Sequence, residues 1–254
     1  MVSAMSDATT KSARRVFEIM EYFDEVRIPL SLKAVCDRLG YPSSSGQAML
    51  KSLVLLGYLE YDRRSQTYLP TMRIAVLGSW VSEQLFGGIN VLKLMDYLRE
   101  ETRETVILGA QSDLYAQYVH VLHSLEPLHY AIPPGTLRPL ARCGIGRLLL
   151  SSQAEADVDR IVRRINIADP DNRVDLGELT ESFEAIRREG HVFSRHIFNE
   201  GVGILAVLLP QAPFERTFAI GLGGPVDRLE ANHARNLAVL RAATSDFAPT
   251  HQEP

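Results

Sequence analysis

Residues 41–70, YPSSSGQAMLKSLVLLGYLEYDRRSQTYLP, constrain the fold more than any other part of the chain. The segment opens on small polar residues. It passes into a run with Met49, Leu50, Leu53 and Leu56 at three- and four-residue spacing, halts at Gly57, and then alternates around a charged turn at 62–66. The first half has the period of a helix buried along one side. Pro42 with Ser43, Ser44 and Ser45 supplies a helix start, and Gly57 a stop. Residues 58–61 and 67–69 have strand character on either side of the turn. Upstream, Val16, Ile19, Met20 and Phe23 repeat at helical spacing from Lys11. Leu32, Val35 and Leu39 then share a face between a capping Ser31 and a terminating Gly40. Three short helices followed by a hairpin read as a winged helix-turn-helix over residues 11–70, in which the third helix enters the major groove and the hairpin flanks it.

The residue types on that third helix fit the task. Its N-terminal end must approach base edges and phosphates, so short hydroxyl donors and free backbone N–H groups are expected there. Ser43, Ser44 and Ser45 come first, then Gln47, a residue type that pairs bidentately with adenine, then Lys51 one turn on. Arg63 and Arg64 at the hairpin tip would lie over the duplex backbone. Residues 1–80 hold 10 Lys and Arg against 8 Asp and Glu, and the formal charge of the whole chain is -4, so any positive surface is local to the N-terminal part.

Residues 1–10 read as a mobile tail. Residues 71–88 read as a connector: a helix over 71–86, with Ile74, Leu77, Val81 and Leu85 along it and Trp80 beside them, broken by Gly87 and Gly88. A second domain follows over 89–246, then a tail over 247–254. Asn90 caps a helix running to about Thr102. TVILGAQ and YAQYVHVLHS read as strands, 133–135 as a loop, and 143–151, 155–165 and 175–189 as helices. HVFSRHI, VGILAVLL and TFAIGLG read as three strands, and a final helix spans about 228–245. Strands at both ends of the domain with helices between and outside indicate a sensor-type α/β fold, making the whole chain α+β.

Several functions find no support. Cys36 and Cys143 are the two cysteines and suggest no disulfide framework, which fits a reducing compartment. No leader pattern or spanning apolar run is visible, so the expectation is a cytoplasmic protein with no membrane association. His120 and His123 lie three apart on a strand and so point to opposite faces; His191 and His196 fail by the same parity, and His129, His233 and His251 have no spacing partner. No metal or other cofactor is expected. Cys143 at a helix start would have a dipole-lowered pKa, but no base accompanies it, and a pocket wall or small core position is the stronger reading. Ser151 and Ser152 at a helix end are ordinary. GLGGP at 221–225 lacks the Lys and the following helix of a phosphate loop. No catalytic residues and no enzymatic activity are expected.

The stretches KSARRVFEIMEYF, LKAVCDRLGYPSSSGQAMLKSLVLLGYLEYD and YLPTMRIAVLG together resemble the N-terminal module of IclR-type bacterial transcriptional regulators. PPGTLRPLARCGIGRLLLSS and IRREGHVFSRHIFNEGVGILAVLLP with FAIGLGGPVDRL are similar to that family's later segments. The resemblance runs from about Lys11 to Thr244. It implies a GAF-like effector-binding domain that senses a small organic acid and adjusts DNA affinity. It matches Arg14 and Arg15 to a first-helix arginine near DNA. It also matches Gly135, Thr136, Cys143, Ser194, Ile204, Gly221 and Gly223 to the effector pocket. On that match, Gly135 and Thr136 offer backbone N–H groups to a carboxylate, Ser194 its hydroxyl, and Gly221 and Gly223 leave room for a ligand. Arg142 and Arg195 were weighed as partners of the acid and read more readily as surface residues. The chain departs from the family pattern at Ala48, where an Arg is frequent, at Ser45, often Thr, and at Gly46, often branched. The strand end after Tyr68 departs too. Ile204, Gly221 and Gly223 stand where acid-binding members can be polar, which implies a wider, more apolar pocket suited to a ring-bearing or aromatic acid.

Paired half-sites on double-stranded DNA imply a homodimer, with the connector helix as its seam, and the resemblance extends this to a tetramer. The competing reading is a GAF-type sensing and interaction protein whose helix-turn-helix serves only dimerisation, a reading the missing Arg at Ala48 favours.

Overall fold

The computed structural model describes residues 10–86, 91–210 and 216–246, and side chains within 72–86 only as far as Trp80. The expected tails, the Gly87–Gly88 break and the Asn90 cap lie wholly or almost wholly outside these residues, as do the side chains of Val81 and Leu85. The chain divides into two compact units, Met1–Val81 and Ser82–Pro254.

In the first unit, α1 (Lys11–Val26) buries Ile19 and Phe23 and ends at Arg27 in the left-handed region. Ser31 caps α2 (Leu32–Leu39), its Oγ accepting from the Ala34 N–H at 3.2 Å, and Gly40 at φ 67° closes it. α3 (Ser43–Leu55) starts directly after Pro42 with no side-chain cap. Its buried stripe is Gly46, Leu50 and Leu53. Leu56, expected on that stripe, is 59% exposed because the helix ends one residue earlier. β2 (Leu59–Asp62) and β3 (Thr67–Pro70) form the hairpin, with Tyr61 opposite Tyr68. A strand that the sequence reading did not anticipate, β1 (Leu30–Ser31), pairs with β3 and makes the order β1-β3-β2. The seven core residues Ile19, Phe23, Leu30, Val35, Leu50, Leu53 and Leu59 come from all three helices and from β1 and β2. α4 (Met72–Phe86) follows.

The second unit is a six-stranded antiparallel sheet with helices on both faces. After α5 (Val91–Thr102) come β4 (Thr105–Ser112), β5 (Tyr115–Leu122) and the three-residue edge strand β6 (Leu137–Pro139). α6 (Gly144–Ser151), α7 (Glu155–Ala168) and α8 (Leu176–Glu189) precede β7 (Val192–Arg195), β8 (Val202–Leu208) and β9 (Phe218–Pro225). The order is β6-β5-β4-β9-β8-β7. The period of two along each strand sorts side chains between two cores. Ile107, Ile204, Ala206 and Ala219 join α6, α7 and α8, whereas Val106, Leu108, Leu205, Val207, Ile220 and Leu222 join α5 and the C-terminal helices. α6 lies so close to the sheet that a Cβ at Gly109 would stand 2.6 Å from Ile145 Cγ2.

The expected single C-terminal helix is two, α9 (Val226–Ala231) and α10 (His233–Asp246). Asn232 separates them, its Nδ2 donating to the Arg228 carbonyl at 2.9 Å, a side-chain competition with helix hydrogen bonding. Arg228 also makes a bidentate pair with Glu104, 2.6 Å in each arm, tying the start of β4 to α9. The Glu104 side chain is 2% exposed and that of Arg228 30%. Among the described residues no helix is long and apolar enough to cross a membrane.

Candidate functional sites

In the N-terminal unit the 3.6-residue period that buries Gly46, Leu50 and Leu53 turns Ser44, Gln47, Ala48 and Lys51 outward together. Ser43 is exposed at the helix start, and Ser45 is half-buried. The first intrahelical bond runs from Gly46 N–H to the Pro42 carbonyl, so the preceding N–H groups of Ser43, Ser44 and Ser45 point out of the helix end without an intrahelical acceptor. α3 therefore offers hydroxyls, an amide, one ammonium and a positive helix terminus on one surface.

The hairpin tip is built by Asp62. Its Oδ1 accepts from the Arg64 N–H at 2.8 Å and its Oδ2 from Ser65 Oγ at 2.7 Å. These bonds, the Ser65 hydroxyl first, hold its carboxyl below the usual carboxylate range. Gln66 turns at φ 57°. Arg63 and Arg64 stand exposed, and neither they nor Lys51 pair with a carboxylate among the described residues. Arg14 and Arg15 are different. Arg14 pairs with Glu18 at 3.7 Å, the Tyr41 hydroxyl bonds Glu18, and Arg15 stacks on the Tyr41 ring at 4.8 Å. Burial, then the Glu18 bond, raises the Tyr41 pKa, so the hydroxyl stays protonated. Both arginines are thus tied to one cluster between α1 and the α2–α3 turn.

Gly46 has a structural reason. A Cβ there would come well under 3.0 Å from Cys36 Sγ and 3.4 Å from Leu32 Cδ1. The departure at this position pairs with a buried thiol on α2, and the glycine is what lets the two helices of the helix-turn-helix approach.

In the second unit a pocket of about 320 Å³, partly continuous with solvent, lies against the α6 face of the sheet. Tyr118, Tyr130, Cys143, Gly144, Ser194 and Ile204 form its inner wall, and Ile197, Phe198, Asn199, Val202 and Gly203 its outer one. Three of the expected effector positions, Cys143, Ser194 and Ile204, line it together. Gly223 backs it: a Cβ there would meet Ile107 Cδ1 at 3.1 Å and Tyr130 Cδ1 at 3.6 Å. The space at Gly221 is filled, since a Cβ would stand 2.9 Å from Ala206 Cβ, so this glycine serves tight strand packing and leaves no room. Gly135 and Thr136 are not on the wall, and their N–H groups are already used, Gly135 donating to the Tyr118 carbonyl at 2.7 Å and Thr136 to that of Pro133 at 3.3 Å. The carboxylate-donor role expected of them has no free donor to rest on. Ser194 Oγ makes a long 3.4 Å bond to the Ile204 carbonyl. Arg142 donates to the Asn172 carbonyl and Arg195 pairs with Glu230 at 2.6 Å, so both are engaged outside the pocket.

Sequence reasoning did not single out Tyr118, Tyr130, Ile197, Phe198, Asn199 or Val202. The aromatic side chains come from β5, the loop before β6 and the loop before β8, which only the tertiary fold brings together.

Cys143 caps α6, its Sγ accepting from the Gly146 N–H at 3.2 Å. Burial outweighs that bond and pushes the thiol up to about 11, the opposite of the dipole-lowered value its helix-start position suggested. Tertiary structure does pair histidines that spacing left alone, His191 with His233 at 5.5 Å and His123 with His129 at 6.0 Å between ring centres. Among the described residues no group of three or more His, Cys, Asp or Glu is arranged to hold a metal ion.

Residues 12–63 match the IclR helix-turn-helix domain, and residues 89–248 match the bacterial transcriptional regulator IclR C-terminal domain. The chain is 23% identical over 205 residues to the HTH-type transcriptional regulator KdgR of Dickeya chrysanthemi, an alignment covering 78% of this chain and 66% of that one, just under two thirds of it. It is 21% identical over 245 residues to the transcriptional repressor IclR of Escherichia coli strain K12, covering 90% and 85%. Among solved structures, the effector domain of the putative transcriptional regulator IclR from Acinetobacter sp. ADP1 superposes with a TM-score of 0.59 at 29% identity, over 65% of this chain and 98% of that one. The Thermotoga maritima IclR structure gives 0.61 at 15% identity, over 93% and 96%, a likeness of fold.

Proposed function

Because the chain belongs to the IclR family of bacterial transcriptional regulators, we propose that it binds double-stranded DNA through α3 and the wing and adjusts that binding when an organic acid fills the pocket of the second unit. The observation that carries the reading is the coexistence, on separate units, of an outward polar and cationic helix face and an amphiphilic pocket. Ser43, Ser44, Ser45, Gln47 and Lys51 meet base edges and phosphates from the major groove; Arg63 and Arg64 neutralise flanking phosphates. Arg14 and Arg15 reach the backbone by leaving the Glu18–Tyr41 cluster. Cys143, Ser194 and Ile204, backed by Gly223, contact the effector. The chain acts without catalysis, in the cytoplasm.

A two-fold homodimer sets two recognition helices on paired half-sites. Met72, Val76, Leu77 and Trp80 are all exposed on α4, a helical stripe of apolar surface that a second copy would cover. Effector occupancy shifts the population between arrangements of the dimer with different half-site spacing. The test is fluorescence anisotropy of the full-length protein with fragments of the DNA upstream of its own gene, with and without a panel of carboxylic acids. Saturable binding that changes at least several-fold with one acid is expected. Absence of any fragment preference over random duplex, at low salt and with every acid, refutes the reading.

A further inference from the structure

We propose that Arg138, with the hydroxyls of Tyr118 and Tyr130, is the carboxylate seat of the pocket, and that the effector is a ring-bearing monocarboxylic acid whose ring lies against Phe198, Val202 and Ile204. This rests on the pocket being the effector site. Arg138 sits in the middle of the edge strand β6, opposite Ala116. Its Nη2 donates to the Tyr130 hydroxyl at 3.1 Å, and its charge acts on the nearby Tyr118 hydroxyl. Its guanidinium carbon stands 4.5 Å from the centre of the Phe198 ring. Two pocket-lining side chains, Tyr130 and Phe198, therefore meet on one arginine that is not itself on the pocket wall, with Tyr118 nearby.

What this arginine lacks is a counter-charge. Its Nε is buried with no hydrogen-bond partner. Among the described residues no carboxylate pairs with it, whereas Arg195 has Glu230 and Arg228 has Glu104. Arg138 is half-buried, so its guanidinium is only partly hydrated, and an anion delivered to it gains both Coulomb attraction and charge-assisted hydrogen bonds. The tyrosines complete the seat. The Tyr130 hydroxyl accepts from Arg138, which leaves its own proton to donate, and among the described residues neither the Tyr130 nor the Tyr118 proton has an acceptor. Tyr118 is 1% exposed, and burial keeps its hydroxyl protonated well above neutral pH, so it remains a donor. One cation and two O–H donors converge where an anion with two acceptor oxygens would sit. Most of the remaining wall is apolar or aromatic, with Ile197, Phe198, Val202 and Ile204 beside the polar Ser194 and Asn199, which suits a ring-bearing acid.

The experiment is thermal-shift and calorimetric titration of the full-length protein with benzoate, phenylacetate and cinnamate against their neutral primary amides. At least one acid is expected to bind, with its amide roughly 10- to 100-fold weaker, the scale of a lost charged hydrogen-bonding partner. Arg138→Met should remove most of that acid-over-amide preference while the ligand-free protein stays at least as heat-stable as wild type; Arg138→Lys should restore part of it. Tyr130→Phe, a milder change, should reduce the preference several-fold and serves if Arg138→Met does not fold. Val202→Trp fills the pocket and should abolish acid and amide binding alike. Loss of binding in Val202→Trp with an intact preference in Arg138→Met and Tyr130→Phe overturns the seat and leaves the pocket standing. Undiminished binding in Val202→Trp overturns the pocket reading itself. No binding by any acid of the panel overturns the assignment of the ligand.

Discussion

Replacing Gly46 with Ala is expected to loosen the helix-turn-helix, and removing the Cys36 thiol is expected to rescue it. On an exposed helix, Gly to Ala would stabilise by about 1 kcal/mol. Here the new methyl falls well under 3.0 Å from Cys36 Sγ, on a side chain that is 5% exposed and has a single rotatable bond. Overpacking of this kind costs about 1–3 kcal/mol, so the net effect of Gly46→Ala is a loss of up to about 2 kcal/mol. Cys36→Ala alone deletes one heavy atom from the same interface and should cost about 0.5–1.5 kcal/mol, by analogy with Ile→Val. The double variant places the methyl in the space the sulfur vacates. Its stability should return to wild type or exceed it, giving a favourable coupling of about 1–3 kcal/mol. Hydrogen exchange of amides across α2 and α3, read by mass spectrometry in the full-length protein, reports the local opening free energy without needing a two-state unfolding transition. DNA affinity should follow the same order, because α3 is set by this contact. If the two single changes add to within about 0.5 kcal/mol, the glycine is not there to accommodate the thiol and the explanation fails.

Arg63→Ala with Arg64→Ala should weaken binding to every DNA sequence alike and flatten the plot of log affinity against log salt by roughly 0.9 per phosphate contact removed; an unchanged slope would take the wing out of the interface. Glu104→Gln should destabilise the C-terminal unit by about 3 kcal/mol, lessened by the 30% exposure of Arg228, and thermal unfolding would show it; a Tm within a degree of wild type refutes the role given to the pair. The His233 pKa is lowered, by burial first and then by His191 and Arg195. A depressed folded-state pKa means the unfolded chain binds the proton more readily, so this contribution is whole above about pH 6.5 and is lost as pH falls through the folded value. His233→Asn should flatten the stability profile in that acid window, and an unaltered profile would show that other groups set it. Cys143, with its thiol pushed up to about 11, should resist iodoacetamide at pH 8 in the folded protein; rapid alkylation seen by intact-mass spectrometry would contradict its burial.

The parts of this fold that the sequence disclosed are those whose signal is local. The period of three and four along α1, α2 and α3, the Ser31 and Gly40 boundaries, the short apolar runs of β4, β8 and β9 and the partial alternation of β5 are each properties of a few consecutive residues. The strands β1 and β6, two and three residues long, carry no period, and their existence depends on partners, β3 and β5, that lie far away in the chain. The same distinction separates the two candidate sites. The α3 face is one helical surface, so Gln47 and Lys51 could be placed outward from spacing alone. The pocket is assembled from β5, two loops, the start of α6 and β8. The arginine proposed for its seat is Arg138, which lies in the same stretch of sequence as Arg142 and carries no local signal that sets it apart. What distinguishes Arg138 is not its neighbours in sequence but the absence, among the described residues, of a counter-charge paired with it, and a missing partner is a property that only three dimensions can reveal. By the same logic Gly221, expected to leave room for a ligand, is closed by Ala206, and Gly109 is closed in the same way by Ile145 from the helix above. A residue without a side chain marks a close approach, and the sequence cannot say whether the thing approaching is a ligand or the protein itself.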